Sequence, residues 1–141
     1  MAKPEYKGKR SVILDSNFLF IPLKFGVDIF DELERLFEGP VNCLLPTSVP
    51  EELEKLKEGA KPNMLRQIDF ALSLTSRCEK MDVIINAGET VDDSLIRLAK
   101  NLKSPVATND AVLRRRLRAE RIPVIYLRQR AYLEIEGAMQ P

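Results

Sequence analysis

The chain has 141 residues, 45% of them hydrophobic, and its 22 basic and 21 acidic residues give a formal net charge of +1. This length suits one globular domain with a hydrophobic core, and no apolar run approaches the ~20 residues of a membrane-spanning helix, so we expect a soluble cytoplasmic protein without a membrane partner. The sequence contains no histidine, which excludes histidine-dependent nucleophile systems and histidine-ligated zinc sites. Hydrolytic chemistry would therefore have to rest on carboxylates.

Short apolar runs alternate with helical patterns along the whole chain, which predicts an α/β domain of three α/β/α layers around a parallel sheet of about five strands. Strands are predicted at 12–14, 41–45, 83–85, 106–107 and 124–126. Helices are predicted at 29–37, 49–57, 65–78, 91–102 and 111–120, with a short terminal helix at 131–136. The domain would span 11–136, between a flexible N-terminal tail at 1–10 and a C-terminal tail at 137–141.

Charge is distributed unevenly along the chain. Residues 28–58 include nine acidic and three basic side chains, whereas residues 103–130 include eight basic and two acidic ones. An acidic side and a basic side suit a polyanion bound beside a metal-holding pocket, although two solvated helix faces would give the same pattern. Cys43 and Cys78 form no CxxC motif and are predicted to be free thiols.

Acidic residues recur where predicted strands end and predicted helices begin. Asp15 follows the first strand in VILDSN, and Asp110 follows the fourth in VATND. Ligands of open α/β sheets bind at the carboxyl ends of the strands, so both positions are candidates for a site. Two further acidic pairs begin helices, Glu51 with Glu52 and Asp92 with Asp93.

Helix capping explains several of these acids individually. Asp15 can cap the helix that follows it, and Ser48 with Glu51 and Thr90 with Asp93 have the spacing of capping boxes. Capping leaves no role for Glu52. Together, however, four carboxylates at one edge of a sheet would repel each other unless a cation neutralises them, and Mg²⁺ or Mn²⁺ prefers such oxygen ligands.

The segments VILDSN, EELEKL, VDDSLIRLA and VATNDAVLRRRL, in this order, resemble the four acidic motifs of PIN-domain ribonucleases. The ending IPVIYLRQRAYLEIEG is similar to the branch of that family that processes small-subunit ribosomal RNA. The resemblance implies that the catalytic and metal-binding residues are Asp15, Glu52, Asp93 and Asp110. It implies supporting roles for Asn17, Asp92, Thr108 and Asn109.

The resemblance implies an endoribonuclease that depends on Mg²⁺ or Mn²⁺ and leaves 5′-phosphate and 3′-hydroxyl ends. Its implied partners are precursor ribosomal RNA, ribosome-assembly factors and a second copy of the chain. The candidate RNA-binding residues are Arg114 and Arg118, which share a helix face, together with Arg115 and Arg116. Two alternatives stay open: a ribonuclease of a toxin–antitoxin pair, and a non-catalytic RNA-binding assembly module whose acids only cap helices.

Overall fold

Strands and helices alternate along residues 10–138, the part of the chain that the computed structural model describes. Arg10, predicted to belong to the N-terminal tail, is the first residue of β1, while residues 1–9 and 139–141 of the predicted tails lie outside the described range. The strands are β1 (Arg10–Leu14), β2 (Val41–Pro46), β3 (Glu79–Met81), β4 (Val106–Ala107), β5 (Val124–Arg128) and β6 (Tyr132–Glu136). The helices are α1 (Ile21–Phe25), α2 (Ile29–Phe37), α3 (Ser48–Leu56), α4 (Pro62–Ser73), α5 (Val91–Leu102) and α6 (Ala111–Ala119), with 3-10 helices at Ser16–Phe20 and Leu74–Arg77.

The six strands form one sheet in the order β3-β2-β1-β4-β5-β6. All neighbours are parallel except β5 and β6, which are antiparallel. The chain builds the sheet outward from β1 in one direction and then continues on its other side with β4. The carboxyl ends of β1 and β4 therefore flank the switch point, where ligands of doubly wound sheets bind.

The core lies on both faces of the sheet, which confirms the predicted α/β/α layers. Val12 and Leu14 belong to a buried cluster that helices α2, α3 and α4 cover, whereas Ile13 belongs to a second cluster under α5 and α6. Successive residues of a strand point to opposite faces, so a strand buried on both faces must be apolar throughout. This requirement explains the continuous apolar run before Asp15.

The apolar sequence after Asp15 fixes the position of that carboxylate. Residues Ser16–Phe20 form a 3-10 helix whose Phe18 and Leu19 are completely buried. Burial of each such side chain contributes about 1.5–3 kcal/mol, so this segment is held firmly in the core. Pro22 then lies in the first turn of α1, where its missing N–H costs nothing.

Two predicted elements are wrong. Residues 82–90 contain no strand, because the segment that pairs with β2 lies just before them, at Glu79–Met81. In the loop that follows, the Nη2 of Arg97 donates a hydrogen bond to the backbone carbonyl of Ile84 at 2.5 Å. Residues 132–136 form β6 rather than a helix, so the sheet has six strands instead of five. In β6 the apolar Leu133 and Ile135 contact the core. No helix within residues 10–138 has the length and apolar character needed to cross a bilayer.

Candidate active site

Asp15 lies at the carboxyl end of β1 with only 8% of its surface exposed. Its Oδ1 accepts a hydrogen bond from the backbone N–H of Ser16 at 2.8 Å, so it does cap the 3-10 helix. Its Oδ2 accepts a hydrogen bond at 2.8 Å from the hydroxyl of Thr108, the residue that directly follows β4. The carboxylate of Asp15 therefore caps the 3-10 helix and also lies at the switch point of the sheet.

A polar network joins the ends of β1, β4 and β5 around this carboxylate. The Oδ1 of Asn17 accepts from the backbone N–H of Asn109 at 3.1 Å, and the Oδ1 of Asn109 accepts from the backbone N–H of Leu127 at 3.0 Å. The Oγ1 of Thr108 also accepts from the backbone N–H of Asp110 at 3.1 Å. The predicted supporting residues Asn17, Thr108 and Asn109 thus lie together and position the loop that carries Asp110.

Asp110 is the N-cap of α6. Its Oδ1 accepts hydrogen bonds from the backbone N–H groups of Val112 at 2.8 Å and Leu113 at 3.0 Å. No hydrogen bond of its Oδ2 occurs within residues 10–138, which leaves that oxygen available to a ligand. Capping and ligand binding are therefore compatible for Asp110, as they are for Asp15.

The ionised form of Asp15 is costly in this environment. The pKa of its carboxyl group is raised to about 6, mainly because burial removes the carboxylate from water. The hydrogen bonds from Thr108 and Ser16 oppose this rise, whereas the charges of Asp92 and Glu52 add to it. The charges of Asp92 and Glu52 therefore both reach Asp15 at this edge of the sheet.

The two acids at the start of α5, Asp92 and Asp93, have different contacts. Asp93 forms the predicted capping box with Thr90, and its Oδ1 accepts from the Nη2 of Arg116 at 2.6 Å. These contacts lower the pKa of Asp93, first through the backbone N–H of Thr90 and then through Arg116. Asp92 is half-buried, and the pKa of its carboxyl group is raised by burial and by the charge of Asp110. Asp92, rather than Asp93, therefore interacts with the acids of the switch point.

Glu52 lies on α3 with an exposed side chain, and its charge reaches Asp15. The predicted capping box of Ser48 and Glu51 is wrong. Helix α3 begins at Ser48, so Thr47 is its N-cap residue, and no side chain caps this helix. The backbone N–H of Thr47 donates to the carbonyl of Met81 at 3.0 Å. Glu51 and Glu52 are thus both free of capping, and Glu52 is the one whose charge raises the pKa of Asp15.

The donors of this cluster fit a hard divalent cation bound largely through water. Within residues 10–138, no three acidic or cysteine side chains converge closely enough to ligate an ion by themselves. Mg²⁺ requires no such cage, because it keeps several water ligands and is commonly bound through one or two carboxylates. A buried carboxylate with a raised pKa beside further acids is the environment that a cation would stabilise.

The four arginines of α6 have different environments. The Nε of Arg114 donates to Glu136 at 2.8 Å, and its guanidinium lies over the ring of Tyr126, 3.6 Å from the centroid. Arg116 pairs with Asp93, and the Nη1 of Arg118 donates to the carbonyl of Ile122 at 3.1 Å. The side chain of Arg115 is exposed and makes no hydrogen bond or ion pair with any described residue. The partner Glu136 could not be identified from the sequence, because residues 131–136 were predicted as a helix.

Comparisons with known proteins agree with this fold. Residues 12–130 match the family described as "PIN like domain". The chain is similar to Ribonuclease VapC4 of Methanocaldococcus jannaschii (30% identity, covering 89% of this chain and 96% of that protein) and to Ribonuclease VapC9 of Archaeoglobus fulgidus (29% identity, 89% and 90%). Among solved structures it resembles the PIN domain endonuclease Utp24, with a TM-score of 0.75, 26% identity and 92% of each chain covered. A domain of a functionally unknown protein from Methanocaldococcus jannaschii shares the fold, with a TM-score of 0.59, 18% identity, and 93% and 99% coverage.

Proposed function

The chain belongs to the family of PIN-like domains, and on that premise we propose that it is a divalent-metal-dependent endoribonuclease acting at the acidic cluster around Asp15. The observation that carries this proposal is the buried carboxylate of Asp15, which Ser16 and Thr108 hold at the switch point of the sheet, where the charges of Asp92 and Glu52 act on it. A bound cation would offset the cost of that charge. Two relatives of similar length are named ribonucleases, and the similar solved structure is of an endonuclease, which supports the same activity.

In this proposal Asp15, Glu52, Asp92 and Asp110 hold Mg²⁺ or Mn²⁺, directly or through water. The ion, when bound, supplies charge stabilisation for the phosphoryl oxygens and an activated water molecule. Thr108 and Ser16 hold the Asp15 carboxylate in place through their hydrogen bonds. Asp93 is assigned a positioning role, because it anchors the start of α5 through Thr90 and links it to α6 through Arg116.

The proposed substrate is a precursor of small-subunit ribosomal RNA, because the C-terminal sequence is similar to that branch of the family. A homodimer and contacts with ribosome-assembly factors stay predictions from the same resemblance. The second candidate is a toxin-type ribonuclease of a toxin–antitoxin pair. It is favoured by the two named ribonucleases, of which the chain covers 96% and 90%.

Cleavage assays separate these functions. With Mn²⁺, the wild-type protein is expected to cut precursor ribosomal RNA at defined positions and to leave 5′-phosphate ends, and chelation should stop the reaction. Cleavage of transfer RNA in preference to the precursor would favour the toxin-type function. If no RNA is cut at saturating Mn²⁺, the proposed activity is wrong and a non-catalytic RNA-binding module becomes the better description.

Single substitutions on α6 test which arginine contacts phosphate. Arg115→Ala is expected to weaken RNA binding and to reduce the slope of log K against log salt by at most about one unit, because its guanidinium is free to meet a phosphate. The melting temperature of the Arg115→Ala variant should equal that of the wild type. Arg118→Ala serves as the matched control and should lower the melting temperature, because it loses the bond to the carbonyl of Ile122. Filter binding over a salt series gives the slopes, and an unchanged slope for Arg115→Ala would remove this residue from the RNA interface.

A further inference from the structure

We infer that Phe25 stacks on a base of the RNA substrate, at the junction of two grooves beside Asn109. The inference rests on the proposed ribonuclease function and adds a recognition residue. Phe25 ends α1 and is half-buried against the core, so the position of its ring is fixed by packing. A fixed aromatic ring offers a stacking surface at little cost in side-chain entropy.

Phe25 and Asn109 belong to the walls of both grooves. The first, the α1–α4 groove, has a volume of about 370 Å³ and runs from Asn17 toward Leu56 and Met64. The second, the α6–hairpin groove, has a volume of about 340 Å³ and lies between the start of α6 and the β5–β6 turn. Asn17 and Asn109 also belong to the polar network around Asp15. The two grooves therefore form one path that passes directly beside the acidic cluster.

The walls of this path carry cations and no carboxylates among the described residues. Lys24 lies in the α1–α4 groove, and Arg114 and Arg130 lie in the α6–hairpin groove. The Nζ of Lys24 is 5.7 Å and the guanidinium carbon of Arg130 is 5.9 Å from the centroid of the Phe25 ring. An aromatic ring flanked by cations is the arrangement with which proteins bind single strands, because the ring stacks on a base while the cations neutralise phosphates.

The apolar part of the path favours an unpaired strand over a duplex. Phe20, Ile21, Leu56 and Met64 form much of the α1–α4 groove and match the face of a base. In an A-form duplex the base faces are stacked inside, and a protein meets phosphates, 2′-hydroxyls and base edges instead. The β5–β6 turn holds Gln129 and Arg130 at φ values of 54° and 59°, where glycine would be less strained, so Arg130 is kept at this position at a conformational cost.

A pair of substitutions at Phe25 tests the stacking contact. Since the chain has no tryptophan, Phe25→Trp introduces a single fluorophore at the proposed contact. In buffer with EDTA, which prevents cleavage, a short single-stranded RNA should quench this emission and bind with nearly wild-type affinity. Phe25→Leu keeps an apolar side chain but removes the ring, and we expect it to weaken binding about tenfold with an unchanged salt slope. Phe37→Leu, at a half-buried phenylalanine that lines neither groove, controls for general loss of packing.

The cationic residues and a duplex competitor complete the test. Lys24→Ala and Arg130→Ala should each reduce the salt slope by about 0.7 and leave the melting temperature unchanged. The same RNA as a duplex should compete poorly. Equal competition by the duplex, or wild-type affinity of Phe25→Leu, would overturn the inference while the ribonuclease function stands. Quenching that depends on protein concentration without RNA would show that a second copy covers the grooves, which also contradicts it. If the wild-type protein neither binds nor cuts any RNA, the proposed function itself fails.

Discussion

Replacing Asp15 by Asn is expected to raise the melting temperature of the metal-free protein at pH 7.5 while abolishing its cleavage of RNA. The pKa of Asp15 is about 6 in the folded protein, against an ordinary value of 3.8. Below about pH 3 the group is protonated in both the folded and the unfolded chain and contributes no difference. Between pH 4 and 6 only the unfolded chain loses the proton, so wild-type stability falls as pH rises, and above pH 6 the full cost of about 3 kcal/mol remains.

The neutral amide of the Asp15→Asn variant would carry no such cost and could keep both hydrogen bonds, by accepting from Ser16 and donating to Thr108. For a domain of this size, about 3 kcal/mol corresponds to an increase of roughly 10 °C in melting temperature, most of which should be lost at pH 4. Mn²⁺ should raise the melting temperature of the wild type and leave that of Asp15→Asn unchanged, because a ligand stabilises only the state that binds it. Thermal melts of the wild type and of Asp15→Asn at pH 7.5 and pH 4, with EDTA and with Mn²⁺, give the melting temperatures that test these expectations.

Asp28→Asn is the matched control for this experiment. Asp28 is also an N-cap, with its Oδ1 accepting from the backbone N–H groups of Phe30 and Asp31, but it is exposed and lies at the start of α2. Because Asn caps about as well as Asp, this substitution should change neither the stability by more than a few tenths of a kcal/mol nor the response to Mn²⁺. If Asp15→Asn behaved in the same way, the carboxylate at the end of β1 would serve as a cap alone.

The fold was predictable wherever the pattern of burial is local. Short apolar runs identify β1, β2, β4 and β5, because strands buried on both faces need apolar residues at their buried positions, and α5 was predicted with the bounds that it has, 91–102. The sequence VII at 83–85 has the same pattern, yet Ile84 is 78% exposed. Because β2 pairs with residues 79–81, residues 83–85 lie beyond the end of β3. No local signal reveals which of the two adjacent segments is paired.

The site was predictable only as far as strand ends and helix starts determine it. Asp15 and Asp110 follow β1 and β4 directly, and parallel strands bring their carboxyl ends to one edge, so the proximity of their loops could be inferred from order along the chain. Asp92 and Asp93 are neighbours in sequence, and which carboxylate faces that edge depends on the capping geometry of α5 and on Arg116. A contact made across 23 positions by a side chain on another helix cannot be inferred from local spacing.

The two acids of α5 should therefore differ in their effect on cleavage. Asp92→Asn removes a charge that acts on both Asp15 and Asp110, and we expect it to lower Mn²⁺-dependent cleavage at least 100-fold. A carboxylate that helps to hold a catalytic ion contributes several kcal/mol to transition-state stabilisation, and each 1.4 kcal/mol is a factor of ten. Asp93→Asn should retain most of the activity, because the Asn side chain can still accept from the backbone N–H of Thr90.

Measuring cleavage rates against Mn²⁺ concentration distinguishes loss of the ion from loss of helix structure. Asp92→Asn should require more Mn²⁺ for half-maximal rate or show no activity at any concentration, with the circular-dichroism spectrum of the wild type. Arg116→Ala breaks the ion pair of Asp93 and leaves the Asp92 carboxylate in place, although it removes a charge that lowers the pKa of Asp92, and it should resemble Asp93→Asn. An inactive Asp93→Asn beside an active Asp92→Asn would reverse the assignment. Asp93 would then have to leave Arg116 when the ion binds, and Arg116→Ala should in that case lower the Mn²⁺ concentration needed, because the competing cation is gone.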